Sequence, residues 1–175
     1  EGPVPVKKPV EEWFYKRDWK KSTLADDKDL NAESKILVFT DTYGIGNAIS
    51  DKYKNTVLVR PVSEEQEGET CKEGLSPEKD NEYIIDPTSS DDYMGLFTGL
   101  SEKGFIPEKI IYLWGIKKVP YHLAPSDANI DYYNLINIYK ALGKSNLTGN
   151  MEVIVITNNS MKVKDYDRTD PFKST

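Results

Sequence analysis

Residues 36–46 read ILVFTDTYGIG, and this stretch decides the fold of the chain. Residues 36–40 form a nearly continuous apolar run, which is typical of a parallel strand buried on both faces of a sheet. Glycines at 44 and 46 allow a tight turn. Residues 47–53 then predict a short helix with Asn47 as its cap. A strand, a glycine-containing turn and a helix open a Rossmann-like fold.

Further apolar segments continue the alternation of strands and helices. We predict strands at 56–60, 83–86, 109–114 and 152–157, a helix at 91–103 capped by Ser90, and a helix at 132–142. The apolar stripe expected on the last helix is Tyr132, Leu135, Ile136, Tyr139 and Leu142. This order predicts an α/β fold, a truncated Rossmann-like domain with a mainly parallel sheet of about five strands flanked by helices.

Three segments lie outside that alternation. Residues 1–12 are rich in proline and charge and predict a linker, leaving 13–175 as a single domain. Residues 13–19, WFYKRDW, place Trp13, Tyr15 and Trp19 on one side of a predicted N-terminal strand. Residues 62–82 are mostly Glu, Lys, Ser and Gly, which predicts a mobile acidic surface loop.

Composition excludes several classes of protein. The 175 residues have a net charge of −6, so we expect no nucleic-acid partner held by a general positive field. A single cysteine, Cys71, excludes an internal disulfide, as a reducing compartment permits. The longest apolar run, 110–116, is too short to span a bilayer, and residues 1–5 lack a signal-peptide core. We therefore expect a cytoplasmic protein with no membrane partner.

The candidate cofactor-binding residues are Gly44, Gly46 and Arg60. Amides at the start of a helix bind a dinucleotide pyrophosphate in such a turn. The fingerprint is incomplete, because Ile49 stands where a third glycine is required and Arg60 stands where an acid would bind the ribose. We therefore favour a structural role for the glycines. A second, minor interpretation is flavodoxin-like, with residues 40–44 holding a flavin phosphate.

Catalytic motifs are absent from the sequence. Short-chain reductase chemistry uses a tyrosine and a lysine four residues later, and no tyrosine here is followed by lysine at that spacing. His122 is the only histidine and has no recognisable nucleophile motif beside it. We expect neither a catalytic nor a metal site in this chain.

Taken together, these segments resemble the structural subdomain that precedes the catalytic subdomain in modular polyketide synthase ketoreductases. The resemblance covers the aromatic opening strand at 13–19, the strand and turn at 36–49, the stretch around 86–93, the strand IIYLW at 110–114, and the last helix and strand. Lysine-rich usage with few Ala and Arg suggests a low-GC bacterium and a synthase that borrows its acyltransferase.

The resemblance implies a scaffold that binds no cofactor itself. The adjacent catalytic half would bind NADPH and reduce the β-keto group of carrier-bound intermediates, with the acyl carrier protein as a further partner. Residues 171–175 would lie about where the family passes into that half, and Trp13, Tyr15 and Trp19 would dock against it. Two alternatives stay open: a stand-alone nucleotide- or flavin-dependent oxidoreductase, and a degenerate ketoreductase spacer.

Overall fold

A computed structural model of the chain describes residues 9–12, 19–23, 31–62, 77–79, 81–116, 130–145, 147, 149–164 and 166–169. In these ranges a short 3-10 helix, Val10–Glu12, precedes six strands and three α-helices. The strands are β1 (Ile36–Phe39), β2 (Thr56–Pro61), β3 (Pro77–Lys79), β4 (Glu82–Ile85), β5 (Lys109–Tyr112) and β6 (Glu152–Val155). The helices are α1 (Ile45–Lys52), α2 (Ser90–Glu102) and α3 (Ile130–Lys144).

The strands form one sheet in the order β3-β4-β2-β1-β5-β6. Every neighbouring pair from β4 to β6 is parallel, and the short β3 alone is antiparallel to its neighbour. With β3 set aside, the five parallel strands lie in the spatial order 3-2-1-4-5, the arrangement of a Rossmann fold. The prediction of a Rossmann-like α/β domain is confirmed.

Strand β1 lies at the centre of the sheet and is inaccessible to solvent on both faces. Leu37 and Phe39 belong to the larger apolar cluster, which includes side chains of α2 and α3. Ile36 and Val38 lie on the opposite face in a second apolar cluster. Ile49 of α1 packs against this second cluster. This two-sided burial explains the uninterrupted apolar run, since neither face of β1 contacts water.

Two predicted helix caps are wrong by a few residues. Helix α1 begins at Ile45, and its N-cap is Gly44 in the left-handed conformation rather than Asn47. Helix α2 is capped by Ser89 instead of Ser90, and the Ser89 hydroxyl accepts from the Asp92 backbone amide at 3.3 Å. Adjacent serines both suit a cap by composition, and only backbone geometry distinguishes them.

The predicted apolar stripe on α3 is also corrected. Tyr132 and Tyr139 are more than half exposed, whereas Asn134, Ile138 and Ala141 are buried. Asn134 can be buried because its side-chain amide is hydrogen-bonded. In the orientation that satisfies both its oxygen and its nitrogen, the amide nitrogen donates to the carbonyl oxygen of Pro87 at 2.9 Å. A buried polar residue therefore occupies a position that the apolar pattern does not mark.

The acidic segment is more ordered than predicted at its end. Residues 77–79 form β3, and Glu82 begins β4 inside the range predicted to be loop. Residues 63–76, including Cys71, lie outside the described residues. So do residues 13–18 of the predicted N-terminal strand, with Trp13 and Tyr15, and residues 117–129, which include His122.

Candidate functional site

The turn between β1 and α1 is the place where a Rossmann fold holds a phosphate, and its glycines have packing roles here. Gly44 has a φ of 89°, which glycine adopts without strain. Gly46 is buried against Thr40. A Cβ built on Gly46 would lie 2.6 Å from the Thr40 Cβ and closer still to its hydroxyl oxygen. The glycines therefore allow α1 to start directly against the end of β1.

Asp41 fills the centre of this turn. Its side chain is buried, and its two carboxylate oxygens accept hydrogen bonds from the backbone amides of Tyr43 at 2.8 Å and Gly46 at 2.9 Å. These amides belong to the turn and the first residues of α1, where the helix dipole favours an anion. The chain thus supplies an anion of its own to two amides of this turn.

The environment keeps Asp41 ionised. Burial by itself would raise the pKa of the Asp41 carboxyl, but hydrogen bonds from the backbone amides of Gly46, Tyr43 and Ile45 outweigh this effect. The net result is a pKa below the ordinary value for aspartate. At neutral pH the turn therefore contains a fixed negative charge.

Two amide donors of this turn are already engaged by the protein itself. The amides of Tyr43 and Gly46 that would bind a pyrophosphate already donate to Asp41, and a phosphate placed there would meet the aspartate charge. Ile49, which occupies the position of the third fingerprint glycine, packs into the core on the α1 face. A phosphate would compete with the buried Asp41 carboxylate for the same donors.

Arg60, the remaining candidate for cofactor binding, is engaged with protein groups. Its guanidinium forms an ion pair with Glu82 on the neighbouring strand and donates to the side-chain oxygen of Asn47 at 3.0 Å. Glu82 would also repel an approaching 2′-phosphate. Arg60 therefore ties β2 to β4 and to α1.

The flavodoxin-like interpretation of residues 40–44 meets the same difficulty. The Thr40 hydroxyl is buried and directed at the carbonyl of Asp41, at 3.5 Å, under the start of α1. It is thus placed for packing against Gly46 rather than for contact with a phosphate. The hydroxyl and the amides that this interpretation requires are both committed within the protein.

A second group of polar side chains lies at the carboxyl end of β5. The Tyr112 hydroxyl donates to Asp131 at 3.2 Å, and the Tyr93 hydroxyl donates to the Pro87 carbonyl at 3.3 Å. Burial, with the charge of Asp131 adding to it, raises the pKa of Tyr112. Burial likewise raises the pKa of Tyr93. Both phenols therefore stay protonated near neutral pH.

Aromatic packing surrounds these hydroxyls. The Phe39 ring contacts the rings of Tyr93, Tyr112 and Trp114, with centroids between 5.1 and 6.2 Å apart. The Trp114 indole nitrogen is buried and has no hydrogen-bond partner in the described part of the chain. These aromatic rings are buried in the core between the sheet, α2 and α3. Their packing therefore stabilises the fold at this end of the sheet.

We expect the Tyr112→Phe variant to lose about 1 kcal/mol of unfolding free energy, because the Asp131 carboxylate loses a buried hydrogen-bond donor. The matched control is Tyr139→Phe, which removes the same atom from a residue on the exposed side of α3 and should change stability by less than about 0.5 kcal/mol. Urea unfolding followed by circular dichroism measures both. Equal stability of the two variants would contradict a role for the Tyr112 hydroxyl.

Trp19 is the described member of the three predicted docking residues. It is 56% exposed, and its indole nitrogen donates to the backbone carbonyl of Lys162 at 2.7 Å. The N-terminal segment therefore meets the segment that follows β6. Sequence analysis contained no signal for this contact, since the two residues are far apart in the chain.

The described residues contain neither a candidate metal-binding cluster nor a helix that could span a membrane. No group of three or more His, Cys, Asp or Glu side chains in the described ranges could hold a metal ion. Among the helices described, none has the length and apolar character needed to cross a membrane.

The fold and the turn define a Rossmann-like α/β domain in which a buried aspartate accepts from amides of the turn after the central strand. The chain belongs to the beta-ketoacyl synthase-like, N-terminal family, whose sequence model matches residues 34–167. A comparison with curated proteins found no match.

Two solved structures share the fold. One is an adenylation, ketoreductase and pseudo Asub multidomain structure of a keto acid-selecting NRPS module, with a TM-score of 0.74 and 19% identity over 90% of this chain. The other is an N-terminal ketoreductase from the macrolactin assembly line, with a TM-score of 0.52 and 15% identity over 73% of this chain. This chain spans 13% and 25% of the lengths of those two proteins. At such identities the likeness concerns the fold.

Proposed function

We propose that this chain is the structural, non-catalytic half of an assembly-line ketoreductase. The observation that carries the proposal is Asp41, which occupies the amides of a Rossmann-like turn where a cofactor phosphate would otherwise bind. A Rossmann-like domain whose turn amides are already bonded to its own aspartate is suited to support a neighbouring domain rather than to bind a cofactor. The scaffold would stabilise the catalytic half that reduces β-keto groups.

Three further facts support this assignment. Both solved structures named above contain a ketoreductase, one in an NRPS module and the other from the macrolactin assembly line. The sequence has no tyrosine followed by lysine four residues later, so the reductase pair would belong to the other half. The match of residues 34–167 to the beta-ketoacyl synthase-like, N-terminal family supports a place within a larger synthase.

The proposed arrangement assigns cofactor and substrate to neighbouring domains. The catalytic half would bind NADPH, and an acyl carrier protein of the same synthase would present the β-keto intermediate to it. In this proposal the parent protein is a cytoplasmic bacterial synthase that borrows its acyltransferase. The exposed ring of Trp19, with Trp13 and Tyr15, would provide apolar contact to the catalytic half.

Reconstitution of the two halves tests the proposal. The polypeptide encoded downstream in the same reading frame is expressed separately, mixed with this chain, and assayed for NADPH-dependent reduction of a model ketone. We expect activity in the mixture and little in either part alone. We also expect this chain by itself to bind neither NADPH nor pyrophosphate in calorimetry, because Asp41 fills the turn.

Other outcomes would assign the chain differently. A stable complex without reduction would favour a degenerate spacer. Retention of NADPH or a flavin by this chain alone would favour a stand-alone oxidoreductase and would contradict the role given to Asp41.

A further inference from the structure

Helix α3 has a second line of mainly apolar residues, on the side that points away from the domain. The buried residues of the helix are Asn134, Ile138 and Ala141. Four residues at intervals of four, three and four positions lie on the other side of the helix, because that spacing returns to the same face of a helix. We define these residues as the α3 stripe: Tyr132, Ile136, Tyr139 and Gly143.

The tyrosines of α3 are unusually accessible for aromatic side chains in a folded domain. Tyr132 is 65% exposed, Tyr133 58% and Tyr139 56%. The rings of Tyr132 and Tyr133 pack edge to face, with centroids 5.7 Å apart. Single exposed apolar residues are ordinary, whereas a contiguous aromatic patch marks an interaction site, and tyrosine is enriched at such sites.

The α3 stripe is complementary to itself in the reverse direction. Positions 132 and 143 have their midpoint between residues 137 and 138, and positions 136 and 139 have the same midpoint. A two-fold axis through this point, with the helices antiparallel, places Tyr132 of one copy opposite Gly143 of the other. The same axis places Ile136 opposite Tyr139. No atom lies within 4 Å of a Cβ built on Gly143, so this end of the stripe has room for a tyrosine ring.

The residues beside the stripe fit the same axis. Tyr133, Lys140 and Lys144 are exposed and lie along one side of the stripe. In an antiparallel pair with a two-fold axis, this side of one helix meets the same side of the other. The Tyr133 ring of one copy then lies between Lys140 and Lys144 of the other, where cation–π attraction is favourable. A partner of unrelated sequence would require none of these matches, so they favour a second copy of this chain.

The available area is that of a weak dimer. A tyrosine side chain has an area of roughly 150–250 Å², and the three tyrosines expose more than half of theirs. Two copies would therefore bury about 600 Å² from tyrosines. The other residues of the contact bring the total to about 1,000 Å², which lies below the range of stable complexes. We expect a dissociation constant of about 10 to 100 μM.

We propose that the α3 stripe is a contact between two copies of this chain, paired antiparallel about a two-fold axis between residues 137 and 138. The inference goes beyond the proposed function and does not depend on it, because both surfaces belong to this chain. Within the proposed synthase, the contact would join the same domain of two polypeptides.

Sedimentation velocity of the chain between about 1 and 500 μM tests for the dimer. We expect a monomer–dimer equilibrium that Tyr139→Ala weakens at least about 30-fold, since the substitution removes an aromatic side chain from both copies. The matched control is Tyr166→Ala, which removes a tyrosine that is 76% exposed and lies outside α3. This control should leave the dissociation constant within about twofold. Added salt should not weaken the dimer, because the contacts include no ion pair and each copy has a net charge of −6.

Gly143→Leu distinguishes the proposed contact from general hydrophobic association. Leucine adds exposed apolar surface, so nonspecific association would become stronger. In the proposed pair the new side chain occupies the space that receives Tyr132 of the other copy, and we expect the dimer to weaken at least about tenfold. A stronger association of this variant would overturn the proposal.

Cysteine cross-linking tests the direction of the helices. Tyr132→Cys and Gly143→Cys are prepared in a Cys71→Ser background and oxidised separately and as a mixture. The proposed axis brings position 132 of one copy beside position 143 of the other, but leaves two copies of either position about 16 Å apart along the helix. A disulfide does not span that distance. We therefore expect cross-linked dimers in the mixture and few in either variant alone.

The remaining outcomes would overturn the proposal in different ways. A chain that stays monomeric at every concentration would do so, as would cross-linking of each cysteine variant with itself. The downstream half is the other possible occupant: a complex with that half that Tyr139→Ala disrupts, together with a monomeric chain, would assign the stripe to that partner. Circular dichroism shows whether each variant is folded, and Tyr132→Ala replaces Tyr139→Ala if the latter is not. Reductase activity of the reconstituted halves is measured separately, so its absence would overturn the proposed function and not the dimer.

Discussion

Replacement of Gly46 by alanine is expected to destabilise the domain by about 3 kcal/mol, the upper part of the usual range for overpacking a core. The new methyl group would lie 2.6 Å from the Thr40 Cβ and 3.2 Å from its Cα, and the second of these atoms is backbone. Relief requires α1 to move away from β1. That movement would also break the hydrogen bond from the Gly46 amide to Asp41.

Gly143→Ala is the matched control for this variant. Gly143 lies in α3, and no atom comes within 4 Å of a Cβ built there. Alanine should therefore stabilise the domain by about 0.5 to 1 kcal/mol, because it restricts the unfolded chain and favours helix. Urea unfolding measures both changes. Equal and small effects at the two glycines would contradict the close contact between α1 and β1.

The fold was predictable from the sequence because its signals are local. The apolar run at 36–39 marks a strand buried on two faces, and alternation of such runs with helical segments predicts a parallel sheet. The order of the strands was not predicted, since right-handed crossovers reduce the possible topologies without selecting one. One error concerns a position where a polar group is buried with a partner, as Asn134 is on α3.

The state of the candidate site was less predictable. Gly44, Gly46 and Arg60 could be identified as candidates, because the turn type and the strand end depend on residue type and spacing. The role of Asp41 depends on distances of a few ångströms between its carboxylate and two amides. The sequence signal for this role of Asp41 is an aspartate directly before a glycine-containing turn and a helix. An exposed polar turn residue would give the same signal.

Contacts between distant segments cannot be predicted from local sequence patterns. The hydrogen bond from Trp19 to Lys162 joins residues that are 143 positions apart. Neither residue has a neighbour in sequence that indicates the other. The composition of both segments, aromatic or apolar with lysine, becomes informative once the structure places them together.

Asp41→Asn is expected to lower the unfolding free energy by about 2 kcal/mol at pH 7. Charge-assisted hydrogen bonds contribute more than neutral ones, and the amide nitrogen of asparagine would turn a donor toward the amide of Tyr43 or Gly46. The pKa of Asp41 is lower in the folded state than in the unfolded chain. Its contribution is therefore complete above the unfolded-state pKa, about 3.9, and is lost as pH falls through the folded-state value.

Unfolding of wild type and variant in urea across pH 3 to 7 checks both the size and the sign of this effect. The difference in unfolding free energy should be constant between about pH 5 and 7 and should shrink below about pH 4. Asp51→Asn is the matched control, since it removes one carboxylate from an exposed position of the same helix and should change stability by less than about 0.5 kcal/mol. A difference that grows on acidification would mean that the folded state raises the pKa of Asp41, and a carboxylate of that kind would not serve as the fixed anion of the turn.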